Sequence, residues 1–215
     1  MARRRGLTAL GVAVLAAATA GGAAQDSEVA PSPGTGQPSE LVQALLAYRR
    51  ASQPGAEHRW LDPLEGRWQV EMGWTGSDGT LRRLVGEAEN RWVLGGRFLS
   101  GEASVIEDGV PVESLSLYGF DANQNRFFAL ILDSLGTDYL ELLGTYEPAA
   151  RSFVFSGTER DEISGVRMTY RLRLRVASPD QHTVELFVDL QGRGPVKVLD
   201  ATYSRLGPVN PLEVP

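Results

Sequence analysis

The chain of 215 residues has no cysteine and two histidines, so its scope for side-chain chemistry is narrow from the outset. Without Cys there are no disulfides, thiolate metal ligands or cysteine nucleophiles, and no cysteine to carry a lipid anchor. His58 precedes the strand-rich part of the chain, and His182 follows the turn Ser178-Pro179-Asp180. An imidazole beside a turn reads as a solvated polar group. Two such residues cannot supply a zinc triad or a haem thiolate, and single-His haem ligation through His182 is the one mode left open; no metal and no cofactor is expected. No Gly-x-Ser-x-Gly elbow is present, and a Ser–His–Asp site would have to recruit one of these two histidines. No phosphate loop or dinucleotide fingerprint runs from a strand into a helix. Asp161 and Glu162 are sequence neighbours and fall on opposite faces of any strand, which argues against a paired-carboxylate glycosidase. No residue is assigned a catalytic role.

The polar groups with a chemical prospect sit where apolar runs end. Phe127 to Leu132 is continuous apolar sequence, followed by Asp133 and Ser134. Turned inward, Asp133 would be a carboxylate at the edge of a greasy cavity, where desolvation raises its pKa. It could then orient a ligand amine or hydroxyl, or do acid/base work with Tyr118 or Tyr146. Turned back, it would hydrogen-bond its own turn through Ser134 and Gly136. Trp74 shares a strand face with Trp68, Val70 and Met72, and either lines a pocket or fills a core. Arg97, behind Gly95-Gly96, either reaches an anionic head group or points into water. The candidate ligand contacts are Trp74, Tyr118, Phe128, Leu130, Asp133, Leu142 and Tyr146.

Positioning such groups requires sheet. From Gly66 to Leu206 hydrophobicity alternates with period two, and no long helical pattern interrupts it. Met168, Tyr170, Leu172, Leu174 and Val176 take one face of a strand, and Arg167, Thr169, Arg171, Arg173 and Arg175 take the other. His182 to Leu190 answers across a hairpin, with Glu185 and Asp189 near the arginine row; the arginines therefore read as a solvated outer face. Gly, Asn, Asp and Pro turn signals, such as Asp108-Gly109 and Asp121-Ala122-Asn123, recur between the runs. The pattern predicts an all-β domain over residues 54–208, an up-and-down antiparallel barrel of about ten strands. Closure removes edges that would otherwise invite aggregation, and leaves an interior able to hold one small ligand or its own side chains.

The N-terminus reads as an address. Arg3, Arg4 and Arg5 precede the apolar run Leu7 to Ala20 and the small residues Gly22-Ala23-Ala24, the pattern of a cleaved signal peptide over residues 1–24. The apolar run is too short to span a bilayer, so no membrane span is expected after cleavage, and Sec and twin-arginine routes both stay open. Cleavage would take the formal charge from −6 to −9, because it removes three Arg and no acid. That balance excludes a dedicated nucleic-acid binder. Residues 25–39 are rich in Pro, Gly and Ser and read as a disordered spacer. One short helix over 40–53 follows, with Ser39 as its N-cap and Pro54-Gly55 as its stop, and residues 209–215 form a tail.

Gly66-Arg67-Trp68 on the first strand, with Arg205 after Tyr203-Ser204 on the last, resembles calycin and lipocalin-like barrels. In those barrels a first-strand Trp and a late Arg plug the closed end, which casts Trp68 and Arg205 as the structural plug. From Pro54 to Leu206 the chain also resembles the domain of unknown function 1579 family. The motifs are His58-Arg59-Trp60-Leu61, Leu94-Gly95-Gly96-Arg97-Phe98-Leu99, Tyr118-Gly119-Phe120-Asp121, Asp133-Ser134-Leu135-Gly136-Thr137, Gly144-Thr145-Tyr146 and Ala201-Thr202-Tyr203-Ser204-Arg205. Glu147 departs from the Asp usual after Gly-Thr-Tyr. The resemblance implies one exported β-rich domain without a settled activity. Noncovalent binding of a small apolar or amphipathic molecule is the expected role, in a periplasmic or secreted protein. A barrel-cavity enzyme and a filled barrel with the helix as docking element are the alternatives; no protein partner is identified.

Overall fold

The computed structural model describes residues 39–51, 53–75, 79–160 and 165–207. Residues 1–38, read from sequence as a leader and spacer, Asp161-Glu162 and the C-terminal tail lie outside the described residues. Two compact units are distinguished, Met1–Val42 and Gln43–Pro215. Of the first, the described part is the opening turn of helix α1 (Glu40–Ala51), where the Val42 N–H donates to Ser39 Oγ at 3.4 Å. Arg49 and Arg50 close that helix at its negative end.

Alternation builds the second unit. Ten antiparallel strands follow one another: β1 (Gly66–Thr75), β2 (Leu81–Val93), β3 (Phe98–Glu107), β4 (Val110–Asp121) and β5 (Arg126–Asp133), then β6 (Leu140–Glu147), β7 (Ser152–Arg160), β8 (Arg167–Ser178), β9 (Gln181–Leu190) and β10 (Pro195–Arg205). Each pairs with its neighbours in sequence, and β10 returns to β1, so the sheet is a closed up-and-down barrel. On β8, Leu172, Leu174 and Val176 are buried while Arg171, Arg173 and Arg175 are exposed. Arg173 stands opposite Glu185, with 3.8 Å between their charged atoms, and Glu185 also meets Lys197 at 3.5 Å. Such exposed pairs contribute little, about 0.2–1 kcal/mol each. Asp189 stands opposite Thr169 instead, and its carboxylate accepts the Gly194 N–H at 3.1 Å. Asp108-Gly109 makes a two-residue hairpin turn with φ of 50° and 83°, the left-handed values such a turn requires.

One end of the barrel is sealed. Besides α1, a 3-10 segment at His58–Leu64 lies just before β1, and a shorter one spans Pro148–Ala150. Leu61 and Leu64 of the first are fully buried with Phe127, Phe153 and Phe155. The Leu64 carbonyl accepts from Trp68 Nε1 at 3.0 Å and from Asn90 Nδ2 at 2.8 Å. Trp68 and Arg205 are register partners across the β1–β10 seam, and the guanidinium carbon lies 4.1 Å from the centroid of the Trp68 ring. Arg205 donates to the carbonyls of Glu65, Pro63 and Pro179 at 2.8, 3.1 and 3.0 Å. Gly66 has φ of 127°, and a Cβ there would collide with Arg205 Nη1, so the Gly of Gly66-Arg67-Trp68 clears the way for this arginine. No helix among the described residues is long and apolar enough to cross a membrane.

Candidate functional site

Above the plug the inward side chains of the barrel leave a cavity of about 340 Å3. Its walls are apolar, with Met72 and Trp74 from β1, Val105 from β3, Val112 from β4, Ile131 from β5 and Leu186 from β9. All of them follow from period two. Once Trp68 points inward on β1, Val70, Met72 and Trp74 must do the same.

The floor is polar and neutral. Asn90, Ser116, Tyr118, His182 and Tyr203 meet there. The His182 ring is stacked on Tyr203 at 4.4 Å and 15° and stands edge-on to Trp68 at 4.3 Å and 83°. Burial, assisted by the charge of Arg205, pushes the His182 pKa down to about 3, so the imidazole is uncharged at physiological pH. Burial also raises both phenols, Tyr118 against an opposing hydrogen bond from Ser116, and Tyr203 with a further contribution from Tyr118. At the strand ends opposite the plug, Glu107, Asp133, Asp138 and Glu159 line the rim with Tyr170. Glu107 pairs with Arg82. Burial and then Asp138 raise the Glu159 pKa, while burial, Glu159 and Asp138 raise that of Tyr170.

Of the residues singled out from sequence, Trp74, Tyr118 and Asp133 share this lining. Asp133 is exposed at the rim, and its Oδ1 accepts the Leu135 N–H at 2.9 Å, so it serves its own turn. The other four stand elsewhere. Phe128 and Leu130 take the outer face of β5, because Phe127, Ala129 and Ile131 point inward; Phe128 lies 6.0 Å from the Phe98 ring. Leu142 is wholly buried in the packed core. Tyr146 stacks on Trp60 at 4.8 Å and lies 4.6 Å from Phe153, also outside the cavity. Arg97 spends its guanidinium on the Leu94 carbonyl and Gln53 Oε1, both at 3.1 Å. Both histidines depart from the solvated state expected for them. His58 is buried and accepts the Gly55 N–H on Nδ1 at 3.0 Å, while His182 is on the cavity floor. His182, Tyr203, Glu159 and Tyr170 line the cavity as well, outside the candidates that the sequence offers. For His182 the signal existed: it leads the same alternating face as Val184 and Leu186.

A family model described as "Protein of unknown function (DUF1579)" matches residues 53–205, from just before the His58–Leu64 segment to the last residue of β10. The chain belongs to the DUF1579 family. This DUF1579 barrel is similar in fold to the S-type phycobiliprotein lyase CPES from Guillardia theta, at 12% identity and a TM-score of 0.48, covering 75% of this chain and 98% of the lyase. A redesigned β-barrel, b11L5F_LGL, is 19% identical with a TM-score of 0.38, covering 69% of this chain and 96% of that one. Another barrel, EF1p2_mFAP2b bound to DFHBI, is 16% identical with a TM-score of 0.37, covering 70% and 100%. No curated protein matches the sequence at a significant level.

Proposed function

We propose that this DUF1579 protein binds a small apolar or amphipathic molecule noncovalently inside its barrel. The observation that carries this reading is the cavity of about 340 Å3 above a sealed floor, walled by apolar side chains. Its volume falls within the range of small-molecule sites. Affinity would come from apolar area removed from water, at about 25 cal/mol per Å2, and orientation from the few polar groups at either end. The filled-barrel alternative has less support, since the interior is not full. The acid/base alternative has less as well, because Asp133 is exposed and bound to its own turn. The Arg3–Arg5 and Leu7–Ala20 pattern supports export, so the ligand would be met outside the cytoplasm.

The neutral dye N-phenylnaphthylamine, which brightens in dry surroundings, tests the cavity directly. One dye should bind per chain. Ala103→Trp, which places an indole in the cavity from β3, should weaken binding at least about tenfold, or ~1.4 kcal/mol. Circular dichroism and thermal melting of the variant confirm that it still folds. Equal dye affinity in folded Ala103→Trp protein would refute the cavity as the site.

A further inference from the structure

The charged side chains that line the cavity carry one sign. Glu107, Asp133, Asp138 and Glu159 stand at its open end, and among the described residues no Lys or Arg lines it. Arg82 reaches the same end from β2, opposite Trp74, and its charge is met by Glu107. Asp133, Asp138 and Glu159 have no ion pair among the described residues. Asp133 is engaged with the Leu135 N–H of its own turn. Asp138 and Glu159 are left as a pair close enough to repel. Burial and then Asp138 hold the Glu159 carboxyl above its usual range, and Tyr170 beside them is pushed up by burial, then Glu159, then Asp138. Glu159 faces inward because it continues the phase of Phe153 and Phe155 along β7.

Three carboxylates on an open surface would be no more than a solvated patch. These stand at the way into an enclosed apolar space of about 340 Å3, which is what gives their sign a consequence. A cleft lined by one sign of charge, with walls of low dielectric, concentrates the opposite charge. The floor does not offset it. Arg205 is held over Trp68 and spent on three backbone carbonyls of the sealed end, and His182 is kept uncharged by its burial. A carboxylate head would therefore find no counter-ion at the floor and like charges at the mouth. An alcohol would leave the repulsion between Asp138 and Glu159 as it was, whereas an ammonium would relieve it. Trp74, Tyr139 and Tyr170 add aromatic surface at the same end, and aromatic rings attract cations.

We infer that the cavity selects a cationic amphiphile, an amine with an apolar tail, which enters tail first and leaves its ammonium at the mouth between Asp138 and Glu159. The tail packs against Met72, Val105, Ile131 and Leu186. The ammonium stays in reach of water at the open end, so it does not bear the full cost of burying a charge. This assignment rests on the cavity being a binding site.

Three compounds with one tail and different charge test it. At about pH 7.5 decylammonium is a cation, decanoate an anion and decanol neutral, and each competes against bound N-phenylnaphthylamine. On the wild-type protein decylammonium should displace the dye at a concentration at least about tenfold below decanoate and about threefold below decanol. Raising sodium chloride from about 0.02 M to about 0.5 M should narrow both gaps. In Asp138→Asn/Glu159→Gln protein, shown by circular dichroism to be folded, the advantage of decylammonium over decanol should fall below about twofold. Equal displacement by decylammonium and decanoate, gaps that salt leaves unchanged, or an undiminished advantage in the folded double variant each overturn the cationic assignment while leaving the cavity as a binding site. Failure of the dye itself to bind overturns both readings.

Discussion

His182 shows how one residue joins stability to the site. Its imidazole is neutral in the fold, with a pKa pushed down to about 3 by burial and then by Arg205, whereas an unfolded imidazole titrates near 6.5. Between these values the unfolded chain binds a proton that the folded chain refuses. Stability is therefore complete above about pH 6.5 and drains as pH falls towards 3, by at most about 1.4 kcal/mol per unit. Urea midpoints should drop between pH 7 and pH 4.5 in the wild type, and His182→Gln should flatten that slope. An unchanged slope in the folded variant would show that other groups carry the acid sensitivity. In the sequence this residue reads as solvated because its turn, Ser178-Pro179-Asp180, masks its phase. The strand periodicity already carried through it, and a strand that starts at Gln181 turns residue 182 inward.

At the level of elements, β8 and β9 were legible and β5 was not. Alternating Arg and apolar residues admit one orientation, and the structure shows it. Phe127-Phe128-Ala129-Leu130-Ile131-Leu132 admits two, because a period cannot be read from an unbroken apolar run. The choice is made by neighbours: Tyr118 of β4 and Leu142 of β6 both stand opposite Ala129, so it is the odd-numbered residues that face the interior. Substitution distinguishes the faces. Leu130→Lys should cost less than about 1 kcal/mol, since Leu130 is outward and stands opposite Glu141. Ile131→Lys places an ammonium in the apolar wall and should cost about 3 kcal/mol or more. Chemical denaturation of both variants checks this, and the reverse order would place β5 the other way round. The His58–Leu64 segment was also missed as an element, because Pro63 within a short mixed stretch resembles a loop; what fixes it is burial of Leu61 and Leu64 under the barrel.

For the whole molecule, ten strands closing in sequence order were foreseeable from their number and their short connections, whereas the meeting of Trp68 with Arg205 was implied by the resemblance to lipocalin-like barrels. The existence of an interior space was not foreseeable, since it depends on how much of the volume Tyr118, Phe155 and their neighbours fill. Export is proposed for the intact chain, from the pattern of its first residues. If the leader is cleaved as the sequence proposes, the secreted or periplasmic form begins near Gln25, and intact-mass measurement of chain expressed in a bacterium should show loss of about 24 residues. A retained leader in the exported fraction would count against it. The seam between β1 and β10 has a consequence of its own. The backbone comes into the barrel at Gly66 and departs at Arg205, with the Leu206 N–H bound to the Arg67 carbonyl at 2.8 Å, so entry and exit lie side by side beneath the plug. A bead, surface or fusion partner attached through either route would hang from the stoppered base of the cup and leave its acidic lip facing free solution.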